Sequence, residues 1–400
     1  MVIKLNWTIN SQWSCPMPSL FDPYNLGPFH LKNRLVMAPM ERSRARNPGW
    51  VPDADTARYF SQRAGAGLIV TGSIAISEWA RTWAFEPGLY TEAQIEGWRR
   101  VNAEVHRHGG IIFGQLRHGG RASHPSHQPN GQSTVSSTDT GAERAISMAF
   151  DENGQPAVLL QTRPRALRTE EVSQIAREFA QAARNAREGG FDGIEIHGAN
   201  GYLHDQFING GLNTRDDRYG GSIENRIRFT LETIDEVISA IGSERTSIRL
   251  SPFGRYNEMP PFEDEAETYL ALAAELSRRN IAYVHFSDQT RWNDAEGVSI
   301  PKNYLGAFRS AFRGPVILAG GYLKENGQAA IDAGEADLIG VGKPFLANPD
   351  LVERLRNDWP LNAWNSKTFY TEGPVGYIDY PACVDASDPR PQKALTVFPR

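Results

Sequence analysis

Cysteine is almost missing from this chain, which carries only Cys15 and Cys383 in 400 residues. Two thiols so far apart support neither a disulfide framework nor a thiolate metal site, and their scarcity fits a reducing compartment. Long apolar runs are missing as well: none approaches the roughly 18 residues of a spanning helix, so no membrane partner is expected. The opening residues 1–7 lack the layout of a secretory signal, and a cytoplasmic protein is the expectation. Neither charge dominates. The chain has 42 Lys and Arg against 47 Asp and Glu, a formal net charge of -5 with the signs interspersed, which argues against a nucleic-acid partner. A small-molecule substrate is left. No break in composition marks an interdomain linker, so residues 1–400 read as one domain, a monomer or homodimer.

What is present is an alternation. Short runs rich in aliphatic and β-branched residues recur at 35–39, 68–71, 111–115, 193–197, 247–251, 283–287, 315–319 and 337–341. Segments of helical periodicity lie between most of them, as at 170–188, 223–240, 264–279 and 324–333. Eight strand–helix units on a chain of this length point to an α/β fold, a closed (β/α)8 TIM barrel, with an open doubly wound sheet as the other arrangement. After the third strand, residues 121–165 are rich in Pro, Gly, Ser, Thr and Asn and read as a capping insertion over the barrel mouth. Residues 382–400 read as a C-terminal tail.

Chemistry gathers where the fourth run ends. There the apolar segment gives way to His197, Asn200 and Tyr202. The first two can donate hydrogen bonds to one oxygen, and the phenol can release a proton. Such a trio suits a reaction in which charge builds on a carbonyl oxygen while a nearby acid protonates the adjacent carbon. A lone histidine here would be as well explained by structure, but three donors at offsets 0, 3 and 5 are costly to bury for packing alone. Gln115 and Arg249 also fall at or near strand ends, where barrels carry their catalytic groups. Gly320-Gly321 and Gly342-Lys343 follow the last two strands, where barrels commonly bind phosphate, although such glycine pairs also serve as simple turns. Neither is a dinucleotide fingerprint or a P-loop. His106, His108, His118, His124 and His127 raise the alternative of a metal-dependent lyase or hydrolase. Their spacings match no ligand grammar and no carboxylate completes them, so no metal is expected.

From about residue 20 to 381 the chain resembles the old yellow enzyme family of FMN-dependent oxidoreductases. The resemblance rests on Lys32–Met40, Gly67–Thr71, His197–Phe207, Tyr219–Arg226, Arg249–Phe253, Asn348–Val352 and Gly376–Pro381. It implies that His197 and Asn200 bind the substrate oxygen, that Tyr202 donates the proton, and that FMN and NADPH serve the redox chemistry. It further implies flavin contacts from Pro39, Met40, Glu41, Gly72, Gln115 and Arg249, and a phosphate cradle from Gly320, Gly321, Gly342 and Lys343. Arg117 and Tyr370 fall at substrate-pocket positions. The activity so implied is reduction of an activated C=C bond in an α,β-unsaturated carbonyl compound. Dehydrogenation or redox-neutral isomerisation of a biosynthetic intermediate is the alternative, and a flavin-binding sensor without chemistry is disfavoured by the retained trio.

The pattern is also broken. Glu41 replaces the usual Thr or Cys, and a carboxylate there would lower the flavin potential or sit protonated. Arg117 replaces a common Trp, and Glu41 and Arg117 are expected to pair, each offsetting the other's burial. In the opposing reading Glu41 pairs with Arg42 or Arg44 and Arg117 reaches solvent. Lys343 replaces an Arg, and both Gly72-Ser73 and Ser287-Asp288-Gln289-Thr290 depart from the usual endings. The clustering of these changes suits a specialised, fungal-type biosynthetic enzyme of secondary metabolism.

Overall fold

Strand–helix repetition requires parallel strands, and here the sheet closes. The computed structural model describes residues 18–290 and 298–383, and within them eight strands form a barrel. These are β1 (Leu35–Met37), β2 (Leu68–Ala75), β3 (Ile112–Arg117), β4 (Gly193–Gly198), β5 (Thr246–Leu250), β6 (Val284–Ser287), β7 (Val316–Ala319) and β8 (Leu338–Val341). Each pairs with the next, and β8 returns to β1 with Gly340 opposite Val36, which rules out the open sheet. Two strands outrun their expected ends by two residues or more. β2 continues to Ala75 through a register shift against β3 between Val70 and Ser73, so Gly72 lies inside a strand and not after one. β3 continues to Arg117, which makes that residue its last.

The crossover helices are α1 (Ala54–Ser61), α2 (Glu92–Arg107), α3 (Thr169–Glu188), α4 (Ile223–Ile241), α5 (Glu265–Arg278), α6 (Tyr304–Ala311) and α7 (Lys324–Asp332). Three of them begin where an N-cap side chain takes the first N–H groups: Asp53 caps α1, Thr91 and Gln94 form a capping box on α2, and Ser222 caps α4. Each presents an apolar stripe inward, in α3 through Val172, Ile175, Phe179 and Ala183.

Inside the barrel, alternate residues of each strand face the axis. At the N-terminal end these are apolar, among them Val36, Val70, Phe113 and Ile317. A hairpin of Tyr24–Leu26 and Phe29–Leu31 seals them from below, with Phe29 edge-on to Phe113 at 5.5 Å. Above that floor the inward residues turn polar: Gln115, Glu195, Arg249 and His285 are all buried. The buried polar side chains inside the barrel thus gather toward its C-terminal end.

Residues 121–165 hold an antiparallel hairpin, Ile146–Phe150 with Pro156–Leu160, and a short parallel pair, Val135–Ser136 with Arg165–Ala166. They are tied to two rim loops. Ala84 N–H donates to Met148 O at 2.8 Å, and buried Arg121 donates to Asn257 O and Glu258 O at 3.0 and 2.9 Å. The expected tail, beyond Cys383, lies outside the described residues, as does Cys15. Among the described residues no helix is long and apolar enough to cross a membrane.

Candidate active site

At its C-terminal end β4 delivers His197, and the turn after it delivers Asn200 and Tyr202. Asn200 and Gly201 hold φ of 58° and 72°, a left-handed pair that turns the chain sharply toward the short helix Leu203–Ile208. The turn is braced from below. Buried Asp205 accepts from Gly201 N–H at 2.8 Å and Ser251 Oγ at 3.2 Å, and Ser251 Oγ accepts from Asn200 N–H at 2.8 Å. Gln289 Nε2 donates to Asn200 Oδ1 at 3.0 Å, which fixes the amide with its NH2 group as the uncommitted donor. His197 Nδ1 accepts from Ala199 N–H at 3.4 Å, so its proton sits on Nε2. Burial, helped by Arg249 and Arg117, keeps this imidazole neutral by holding it well below its usual value. Tyr202 packs edge-on against it with ring centroids 4.7 Å apart.

Beneath the trio lies a polar level that the sequence reading named only in part. Gln115 Nε2 donates to Glu195 Oε1 at 2.7 Å and its Oε1 accepts from Ser73 Oγ at 3.2 Å. Glu195 Oε2 meets His285 Nδ1 at 2.8 Å. Arg249 stands opposite His197 in the register of β4 and β5, donates to Ser287 Oγ at 3.2 Å, and keeps a buried Nε without a partner. Glu195 had one legible signal, a lone carboxylate between isoleucines in a buried strand. Gln289 and Asp205 fell within segments the sequence singled out, but their roles arise only when separate loops meet.

The expected pairing of Glu41 and Arg117 forms, as the weaker of two. Arg117 Nη2 lies 3.6 Å from Glu41 Oε2, but Nε and Nη2 donate to Glu86 Oε1 at 3.1 and 2.7 Å. Arg117 is 2 % exposed, and Glu86, which the sequence reading missed, is fully buried. Glu86 also accepts from the N–H groups of Thr82 and Trp83 at 2.9 and 3.3 Å. Glu41 Oε1 accepts from the backbone of Arg42 and Ser43, while its buried Oε2 has no hydrogen bond. Burial raises the Glu41 carboxyl to about 7 from an ordinary 4.5, against the pull of Arg117 and with the push of Glu86.

That shift has a measurable consequence. The folded protein keeps a proton that the unfolded chain releases between pH 4.5 and about 7, so this group withdraws stability as pH rises through that window. Glu41→Gln removes the titration. Urea midpoints at about pH 5 and about pH 8 are expected to show the variant gaining on the parent at the higher pH. A difference that does not change with pH would show that Glu41 ionises normally.

The remaining candidates converge on the same rim. A Cβ placed on Gly72 would meet Met40 O at 2.4 Å, so Gly72 lets the segment Pro39-Met40-Glu41 lie directly against β2. Gly320 and Gly321 follow β7 with φ of 133° and 94°, and a Cβ on Gly320 would strike Asp288 O at 1.9 Å. Gly342 follows β8, its own Cβ direction open except for Met40 Sδ at 3.7 Å, and Lys343 begins the helix Lys343–Ala347. Tyr370 stacks obliquely on Trp83 with centroids 5.3 Å apart. The five histidines do not converge. His106 pairs with Asp192, buried His127 meets Met148 O, and among the described residues no group of three His, Cys, Asp or Glu could hold a metal.

Comparison with known proteins gives the same answer along the whole barrel. Residues 19–362 match the NADH:flavin oxidoreductase / NADH oxidase family. The chain is 43 % identical over 366 residues to 12-oxophytodienoate reductase 1 of Oryza sativa subsp. japonica, covering 90 % of this chain and 92 % of that one. It is 40 % identical over 376 residues to 12-oxophytodienoate reductase 2 of Arabidopsis thaliana, covering 94 % and 98 %. Among solved structures, morphinone reductase superposes with a TM-score of 0.90 at 41 % identity, covering 94 % of this chain and 99 % of that one. These curated relatives are plant proteins, so the expected fungal-type affinity has no support. The unpartnered Arg249 Nε and the glycine turns after β7 and β8, the second of them beside Met40, fit a flavin and its phosphate. By sequence and by fold alike, the chain belongs to the old yellow enzyme family of FMN-dependent oxidoreductases.

Proposed function

We propose that this enzyme reduces the activated C=C bond of an α,β-unsaturated carbonyl compound at the expense of NADPH. The observation that carries the reading is the grouping of a neutral His197 bearing its proton on Nε2, the oriented amide of Asn200, and the phenol of Tyr202. FMN, when bound, would supply hydride for addition to the β-carbon of the substrate. Gln115 and Arg249 would hold its ring edge, Pro39, Met40, Glu41 and Gly72 would line the ring, and Gly320, Gly321, Gly342 and Lys343 would hold its phosphate. His197 and Asn200 donate to the carbonyl oxygen, where negative charge accumulates, the neutral imidazole through its Nε2–H. Tyr202 then gives its proton to the α-carbon. Arg117 and Tyr370 border the substrate. Relatives named for 12-oxophytodienoate and for morphinone, both oxo compounds by name, support a ketone substrate.

The test is anaerobic reduction by NADPH and, separately, by NADH, followed by mixing with a cyclic enone while the flavin absorption is monitored. Reoxidation with one coenzyme consumed per C=C bond reduced supports the reading. Protein that stays colourless and inactive after FMN addition would remove it. Glu41, with its unpartnered oxygen and raised proton affinity, favours one second reading, isomerisation without net coenzyme consumption. The same stoichiometry separates the two. His197→Ala and Asn200→Ala are each expected to weaken binding of a phenolate ligand by roughly 10- to 100-fold, the scale of one hydrogen bond to a charged group. Unchanged phenolate affinity would take either residue out of the oxygen-binding role.

A further inference from the structure

The Arg117 side chain does more than answer Glu86. Its guanidinium carbon lies 4.7 Å from the centre of the Tyr202 ring, while its nitrogens are held by Glu86. Glu86 reaches Tyr202 by a second route. It fixes the backbone of Trp83, whose side chain hydrogen-bonds Tyr202. A fully buried carboxylate thus anchors both groups that grip the phenol.

We propose that Arg117, anchored by Glu86, is a positioning residue for proton donation, holding the Tyr202 ring and stabilising the phenolate left when that proton departs. The inference rests on the function proposed above for its consequence, though its physical content is independent of turnover. In the step concerned the Tyr202 O–H bond breaks and a C–H bond forms at the α-carbon, with hydride already added at the β-carbon. The electron pair stays on the phenol oxygen until solvent returns a proton. Buried phenolates are costly, and a cation against the ring face offsets that cost. The groups facing Tyr202 are the cations Arg117 and Arg249, the carboxylates Glu86 and Glu41, neutral His197 and the phenol of Tyr370. Burial raises the Tyr202 phenol, and Arg117 and the Trp83 hydrogen bond oppose that rise. Arg117 keeps its charge because Glu86, Tyr202 and Glu41 outweigh the effect of its burial.

A polyfluorinated tyrosine placed at position 202 ionises within the stable pH range and can be titrated by 19F NMR in the FMN-loaded protein at rest. Electrostatic stabilisation and mere packing predict different signs. Glu86→Gln keeps an amide oxygen as the acceptor for Arg117 and removes the negative charge, at the loss of the hydrogen bonds from the Thr82 and Trp83 N–H groups, so the midpoint is expected to fall by about one pH unit, a tenfold rise in acidity. Arg117→Met is expected to raise it by at least about as much, and Arg117→Lys to stay near the parent. Shifts of one sign in both Glu86→Gln and Arg117→Met, or no shift in Glu86→Gln, overturn the proposal. Should Arg117→Met not fold, Glu86→Gln decides alone. The titration needs no turnover, so a failure of enone reduction would count against the proposed function and not against these shifts.

Discussion

Tyr202→Phe is expected to leave reduction of the flavin by coenzyme unchanged while slowing its reoxidation by an enone about 10²- to 10⁴-fold, the usual cost of losing a general acid. The two half-reactions divide this way because only the second moves a proton to carbon. The ring survives the substitution, so its edge-on packing against His197 at 4.7 Å and its place under Arg117 are kept. Stopped-flow measurement of each half-reaction separately is the check. Equal slowing of both would indicate a displaced flavin or a disturbed pocket, and an unaffected second half-reaction would assign the proton to another group. Glu41, the nearest alternative by character, would then be the residue to replace.

Arg117→Leu is expected to cost about 3–5 kcal/mol of folding stability, because Glu86 is left fully buried with no counter-charge. Adding Glu86→Leu should recover most of that loss, since two apolar groups of suitable volume in place of a buried ion pair are often close to neutral. Denaturant unfolding of the single and double variants tests this. A single variant within about 1 kcal/mol of the parent, or a double variant no better than the single, would mean that the pair is not an energetic unit. The loss would also reach Glu41, whose carboxyl Arg117 pulls downward, and would leave it still more firmly protonated.

Glu41 and Arg117, two of the departures from the expected pattern, are therefore one arrangement. Arg117 in a Trp position brings a charge into a dry pocket, and it is tolerable there because Glu86 lies within 2.7 Å. Glu41 stands at the edge of that pair, 3.6 Å from the guanidinium and 13 % exposed. A cation between two carboxylates leaves one of them under-compensated: each takes two backbone N–H donors on its far oxygen, but only Glu86 is hydrogen-bonded by Arg117, which leaves Glu41 Oε2 without a donor.

Much of this was legible along the chain. Strand and helix positions follow from local periodicity, and the eight expected strands and four expected helices recur with ends shifted by a few residues. The offsets from His197 to Asn200 and Tyr202 were enough to mark a site, because one strand end and one turn carry all three. The glycines at 72 and 320 were read as cofactor contacts, and their close approach to Met40 O in one case and Asp288 O in the other was not readable. Partnerships were the unreadable part. Glu86 meets Arg117 across 31 residues, Gln289 orients Asn200 across 89, and His285 meets Glu195 across 90.

By itself, then, the sequence determined the barrel, the rim that bears the chemistry, and the family, since each is written in spacings of a few residues that the backbone's own geometry enforces. Only the tertiary structure decided which carboxylate neutralises Arg117, which proton Glu41 keeps, and what grips the Tyr202 ring. Those outcomes depend on the register between strands and the path of the loops over their ends, where the step from 2.7 to 3.6 Å separates the stronger partner from the weaker.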